Sequence, residues 1–173
     1  MSPQRILLVE DEESIRDLYA RQLTKAGFNI TPVGTGEAAL DELKKAQFDI
    51  LLLDIMLPGI NGLQILREFK TMFPNSPAKV IMLTNLGQDT VIKEGFELGA
   101  NAYLIKASFT PDQVVNEVKN VLAGGQPANP NPNTQPVIAP AGTPAVPTTQ
   151  PPVQPAQTEP QTPPVTPEEK PIQ

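Results

Sequence analysis

Along roughly the first 124 residues, strand-length apolar runs alternate strictly with segments of helical periodicity, and few sequence patterns constrain a fold more tightly. The runs cover 5–10, 28–33, 49–54, 79–84 and 102–105. In the third, Ile50, Leu51, Leu52 and Leu53 form an unbroken aliphatic run between Asp49 and Asp54, and a turn-forming stretch with Pro58, Gly59, Asn61 and Gly62 follows. A strand that is apolar on both sides must be covered on both faces, as a central strand of a parallel sheet is.

The intervening segments supply the cover. Ile15, Leu18, Tyr19 and Leu23 recur at helical spacing within 13–26, and Gly27 provides a left-handed stop. Segments 36–46 and 63–73 repeat the pattern through Ala39, Leu40 and Leu43, then Ile65, Leu66, Phe69 and Phe73, before Pro74. The segment 88–98 is less apolar and is closed by Gly99. The last, 110–122, opens on Thr110, Pro111 and Gln113, the signature of a capping box with Pro at the first helical position. These features predict an α/β fold: a doubly wound sheet of five parallel strands with helices on both faces. Roughly 120 residues suffice for one such core. Alternation alone leaves the strand order open.

Composition breaks near Gly124 and Gly125. Six of the 21 prolines (Pro3, Pro32, Pro58, Pro74, Pro77 and Pro111) precede that point, and the other 15 follow it, whereas every Phe and Tyr precedes it. A Pro-rich segment without aromatics buries too little apolar surface to offset about 1–2 kcal/mol of backbone entropy per residue. The expected organisation is therefore one domain over 1–124 and a disordered Pro/Thr/Gln-rich tail over 125–173. Its Pro-x-x-Pro spacings lack adjacent Arg or Lys, so a solvated spacer is the preferred reading of the tail.

The formal charge of -6 divides into 12 basic against 16 acidic residues before Gly125 and one against three after it. Neither part has the basic patch that nucleic-acid contact requires. The chain has no Cys, which excludes disulfides and thiolate metal sites, and no His, which excludes imidazole catalysis and imidazole ligands. No stretch resembles a signal peptide or is long enough to span a bilayer, so the expected compartment is the cytoplasm.

In a parallel sheet the carboxyl ends of the strands converge, and open α/β sheets bind their ligands there. The residues at those ends are Glu10 and Asp11, Asp54, Thr84 and Lys106. Taken singly, each has an ordinary explanation: acids favoured at a helix N-terminus, a turn-forming Asp, a strand-ending Thr, a solvated Lys. Taken together, they place several carboxylates in one crevice, repelling by about 4 kcal/mol per pair at 4 Å and an effective dielectric of 20. Lys106 offsets part of that, and a hard divalent cation such as Mg²⁺, held by oxygen ligands and a substrate phosphate, is the natural remainder. The constellation suits phosphoryl transfer.

The string Ile6, Leu7, Leu8, Val9, Glu10, Asp11, Glu12, the block from Asp54 through Pro58 and Gly59 to Gly62, then Thr84, and finally Tyr103 to Lys106 resemble the receiver domain of bacterial two-component response regulators. The match runs in order over about residues 4–123. It implies the strand order 2-1-3-4-5, with Asp54 as a phosphoacceptor that attacks a phosphohistidine on a sensor histidine kinase or phosphotransfer protein. It implies Mg²⁺ bound by Asp11 and Asp54 directly, by Glu10 through water and by the backbone carbonyl of Met56. Lys106 would pair with the phosphoryl oxygens and the Thr84 hydroxyl would swing in to bond one of them. Tyr103 would rotate inward as Thr84 moves, changing the contacts offered to a downstream protein.

Two positions depart from the family pattern. The Lys of the fifth strand is usually followed by a cis Pro, and here Ala107 stands there; Thr84 is often followed by a very small residue, and here Asn85 does. Nothing after Gly125 reads as an output domain. The expectation is therefore a stand-alone receiver, monomeric or weakly dimeric, that binds no nucleic acid and acts through a protein contact or phosphate relay. Two rivals remain: a receiver-like binding module that signals without phosphorylation, and an Asp-nucleophile phosphohydrolase. The haloacid-dehalogenase type of the latter needs an Asp two residues after the nucleophile, where this chain has Met56.

Overall fold

Side-chain alternation decides how the sheet is covered. In the computed structural model, which describes residues 3–85 and 89–125, β1 (Arg5–Val9) sends Leu7 and Val9 into one apolar cluster and Ile6 and Leu8 into the other. β3 (Ile50–Asp54) divides in the same way, Leu51 and Leu53 against Ile50 and Leu52. None of these eight side chains has any exposed surface. Each such burial is worth roughly 1.5–3 kcal/mol relative to exposure.

The remaining elements are α1 (Glu13–Lys25), β2 (Asn29–Val33), α2 (Gly36–Lys45), α3 (Gly62–Met72), β4 (Lys79–Thr84), α4 (Asp89–Glu97), β5 (Ala102–Ile105), a 3₁₀ turn (Lys106–Ser108) and α5 (Pro111–Leu122). The strands are all parallel, in the order β2-β1-β3-β4-β5. The expected doubly wound sheet and its implied order are both present. Tyr19 and Leu23 of α1 and Val114 and Val118 of α5 cover one face; Leu43 of α2, Leu66 of α3 and Phe96 of α4 cover the other. β2 lies at an edge, which is where its Pro32, lacking an N–H, does least harm to the ladder.

Local signals hold the helices in place. Asn61 and Gln64 form a reciprocal capping box on α3, with bonds of 2.9 and 3.0 Å, and Thr110 and Gln113 do the same on α5, where Pro111 opens the helix as expected. The expected apolar face of α1 needs one correction. Ile15, Tyr19 and Leu23, spaced four apart, turn toward the sheet, and Leu18 is 45% exposed because it flanks that stripe. The 3₁₀ turn after β5 was not expected from the sequence. Among the described residues no peptide bond is cis, so Lys106–Ala107 is trans. No described helix is long and apolar enough to cross a membrane. The segment expected to be a disordered tail lies, from 126 onward, outside the described residues.

Candidate functional site

Parallel register brings the predicted groups to one edge. Val9 pairs with Leu53, Asp54 with Leu83, and Thr84 with Ile105, so Glu10, Asp54, Thr84 and Lys106 lie in or directly beyond the last registered positions of four adjacent strands. Asp54 is 2% exposed, Glu10 1% and Thr84 3%, while Asp11 is open to solvent. The Lys106 side chain is as deeply buried as theirs.

The geometry of this edge is specific. Lys106 Nζ donates to Asp54 Oδ2 at 2.7 Å, and the amide of Met56 donates to Asp54 Oδ1 at 3.0 Å, so both carboxylate oxygens are held. Lys106 Nζ also lies 2.5 Å from Glu10 Oε2, an ion-pair contact. Beyond that ion pair, Glu10 Oε2 has no hydrogen-bond partner among the described residues. Glu10 is thus held by a single charged partner, which it shares with Asp54.

Electrostatics follow from this crowding. Burial pushes the Glu10 carboxyl up from its ordinary value and Asp54 adds to that, against the opposing pull of Lys106. Burial pulls the Lys106 ammonium down, but its contacts with the Asp54 and Glu10 carboxylates and their charges outweigh that and leave it raised. Lys106 therefore stabilises the fold fully below the ordinary Lys range and loses that contribution as pH rises through its raised value. Glu10 has the same sign in a lower window: its contribution is present below the ordinary carboxylate range and is lost as pH climbs through its raised value.

Three carboxylates face one ammonium. Single oxygens of Glu10, Asp11 and Asp54 come within 4.8 Å of one another. An all-oxygen donor set of net negative charge, two of its three carboxylates buried, fits a hard divalent cation.

Loop residues position these groups. A Cβ on Gly62 would collide with the backbone carbonyl of Asp54, so only glycine allows the start of α3 to pack against the end of β3. Gly59 takes φ of +74° in the turn between them. The side chain of Met56 is 65% exposed, at the rim. Tyr103 is 3% exposed, so its ring is already inward in this structure, and burial raises its hydroxyl while a hydrogen bond with Thr84 opposes that. Asn85 is exposed, and Leu86 lies outside the described residues.

Sequence reading missed two neighbours of the site. Arg16 of α1 donates to the backbone carbonyls of Glu10 and Asp11, at 2.8 and 3.2 Å. Tyr19 is buried within electrostatic reach of Lys106, Glu10 and Asp54, and burial raises its hydroxyl. A groove of about 600 Å³ lies at the opposite edge of the sheet, lined by residues that include Arg5, Phe48, Asp49 and Phe73. Among the described residues the cluster of three acids lies at the carboxyl edge and not in this groove.

Comparison with known proteins identifies the family of the domain. Residues 6–119 match the model of the response regulator receiver domain. The sensory transduction protein RegX3 of Mycolicibacterium smegmatis is 38% identical over 120 residues, covering 69% of this chain and 51% of the relative. The alkaline phosphatase synthesis transcriptional regulatory protein PhoP of Bacillus subtilis is 35% identical over 131 residues, covering 74% and 52%. The chain thus spans about half the length of these curated relatives. Among solved structures, a response regulator from Chloroflexus aurantiacus superposes with a TM-score of 0.64 at 34% identity, covering 70% of this chain and 98% of that one. A CheY-like receiver domain protein from Methanospirillum hungatei gives 0.66 at 27% identity, covering 71% and 96%. With its strand order, its acid cluster and a match over most of the folded part, this chain belongs to the response regulator receiver domain family.

Proposed function

We propose that the chain is a phosphoacceptor in a two-component phosphorelay, with Asp54 taking a phosphoryl group from a phosphohistidine on a sensor histidine kinase or phosphotransfer protein. One observation carries the reading: Asp54 is buried at the carboxyl end of β3, held by Lys106 Nζ at 2.7 Å, with two further carboxylates beside it. An Asp54 oxygen attacks phosphorus, the N–P bond breaks, and its electron pair leaves with the donor imidazole. Asp11, Asp54, the backbone carbonyl of Met56 and, through water, Glu10 are the groups that would hold Mg²⁺. When bound, the ion neutralises charge on the transferring phosphoryl group.

The protein's own groups do the rest. Lys106 exchanges its bond to Asp54 for one to a phosphoryl oxygen, and the Thr84 hydroxyl turns to another. Tyr103, packed beside Thr84, couples that movement to the surface around α4, β5 and α5. The chain modifies only its own carboxylate and turns over no separate substrate. Its acidic domain contacts proteins rather than nucleic acid, as a monomer or weak dimer in the cytoplasm, where kinase and Mg²⁺ are both present. Incubation with acetyl phosphate and Mg²⁺, read by intact mass, should give one phosphoryl adduct per chain. No adduct under conditions where Mg²⁺ binds would favour a receiver-like module that signals without phosphorylation.

The lifetime of the adduct should be long. Hydrolysis needs a water in line with the Asp54–phosphorus bond, and a side chain that orients or deprotonates it is typically worth 10²–10⁴-fold. By family resemblance the positions for that side chain are two after Asp54 and two after Thr84, occupied here by Met56 and Leu86. Neither accepts a proton. Met56→Asn should therefore speed dephosphorylation about tenfold, and adding Leu86→Glu should speed it further. Loss of the wild-type adduct within seconds, or no change in the double variant, would rule this out.

The receiver is proposed to be complete within 1–124, with 125–173 as a tail. Among the described residues, both apolar clusters are built from positions up to Leu122. Deleting 126–173 should leave the thermal midpoint within a degree or two and phosphorylation intact. A midpoint lowered by many degrees would mean that the tail packs on the domain.

A further inference from the structure

Arg16 stands where helix electrostatics disfavour it. It lies one turn into α1, close to the positive end of the helix dipole, where a basic residue is unfavourable. A residue that breaks a local rule beside a site is held there by something else. Its guanidinium turns back past the start of the helix, and Nη1 donates to the carbonyls of Glu10 at 2.8 Å and Asp11 at 3.2 Å. The position opposite is Gly34, where a Cβ would approach Nη1 to 3.0 Å, so a side chain there would crowd the guanidinium.

Those two carbonyls belong to the peptide units that flank Asp11. The Glu10 amide is tied separately to the carbonyl of Val33 at 3.1 Å. With both carbonyls held, the peptide planes on either side of Asp11 cannot rotate, and the directions in which the Glu10 and Asp11 side chains leave the backbone are set. No carboxylate is bonded to Arg16 among the described contacts, so it does not neutralise an acid directly. We infer that Arg16 is a positioning residue: it fixes the Glu10–Asp11 backbone so that both carboxylates stay aimed at the Mg²⁺ position. This rests on the Mg²⁺ reading above.

The sign of the effect separates this role from simple charge. Removing a cation near a cation site tightens Mg²⁺ binding by Coulomb's law, whereas removing a positioning contact loosens it. Supporting contacts behind metal ligands are typically worth 10–100-fold in affinity. In the full-length protein, Mg²⁺ alone is titrated into wild type, Arg16→Met, which keeps most of the apolar stem, and Arg16→Lys, which keeps one donor group. Backbone amide shifts and calorimetry give the affinity, and thermal midpoints without Mg²⁺ check the fold.

Arg16→Met should bind about tenfold more weakly. Arg16→Lys should recover part of the loss, and both should melt within a few degrees of wild type. Equal or tighter binding by Arg16→Met overturns the inference, as does an Arg16→Lys variant no better than Arg16→Met. If Arg16→Met melts much lower, amide shifts of the Glu10–Asp11 loop at a temperature where it is folded decide instead: unchanged shifts overturn the inference, displaced ones support it. Failure of the wild type to bind Mg²⁺ would strike the underlying reading, a distinct result.

Discussion

Asp54→Ala should abolish phosphoryl incorporation, a loss of at least about 10³-fold against wild type with acetyl phosphate and Mg²⁺, because no other group on the chain is a competent acceptor. There is no His and no Cys. Glu10 is the other buried carboxylate at the site, and burial favours its protonated, non-nucleophilic form. Asp11 is exposed and is assigned to the cation. The adduct on wild type should be sensitive to hydroxylamine, as an acyl phosphate is. The variant should also keep its fold, since Lys106 retains its contact with Glu10 and the repulsion between Glu10 and Asp54 disappears. An unchanged or higher thermal midpoint with no adduct is thus the expected pair of results. Label retained in Asp54→Ala would refute the assignment. Adduct formation by the purified wild type with ATP alone would contradict the external donor that a chain without His requires.

The sheet was legible because its central strands leave no choice. Ile50 to Leu53 have no polar side to show to water, and once β1 and β3 are central the helices must cover both faces. Convergence of Glu10, Asp54, Thr84 and Lys106 was legible for a related reason: parallel strands bring their carboxyl ends to one edge. The strand order was not, because alternation fits several orders and only family resemblance selected one.

Other features depend on backbone groups, which a sequence does not display. Arg16 bonds to carbonyls, so its partners could be any residues; its one sequence signal was a basic side chain just inside a helix start, three residues after the acid run that ends at Glu13. Leu18 fits the helical apolar pattern by spacing, but the stripe is only wide enough for Ile15, Tyr19 and Leu23. The 3₁₀ turn at Lys106 breaks no local rule and announces itself by none. The tight contact of Lys106 with Glu10 as well as Asp54 depends on how far a long side chain reaches, and that is set by packing around it.

Lys106→Met should destabilise the protein by about 3 kcal/mol at pH 8 without Mg²⁺, the lower end of the range for breaking a buried ion pair from one side. For a domain of this size that corresponds to a midpoint lower by roughly 10 °C. Both carboxylates that Lys106 holds are at most 3% exposed, so its removal leaves two like charges facing each other with little water. Glu10 sets the pH dependence: without the ammonium that opposes burial, its carboxyl rises further above its ordinary value, so the stability it contributes is present at low pH and lost as pH rises through that raised value. The gap between wild type and variant should accordingly be widest near pH 8 and close toward pH 5. Two additions should also close it: millimolar Mg²⁺, which replaces the missing positive charge at the same carboxylates, and Glu10→Gln in the same chain, which removes one of the repelling pair. Urea unfolding across this pH range checks all three. A Lys106→Met variant as stable as wild type at pH 8 without Mg²⁺ would mean that the site tolerates its acids unaided, and that Lys106 serves the phosphoryl group alone.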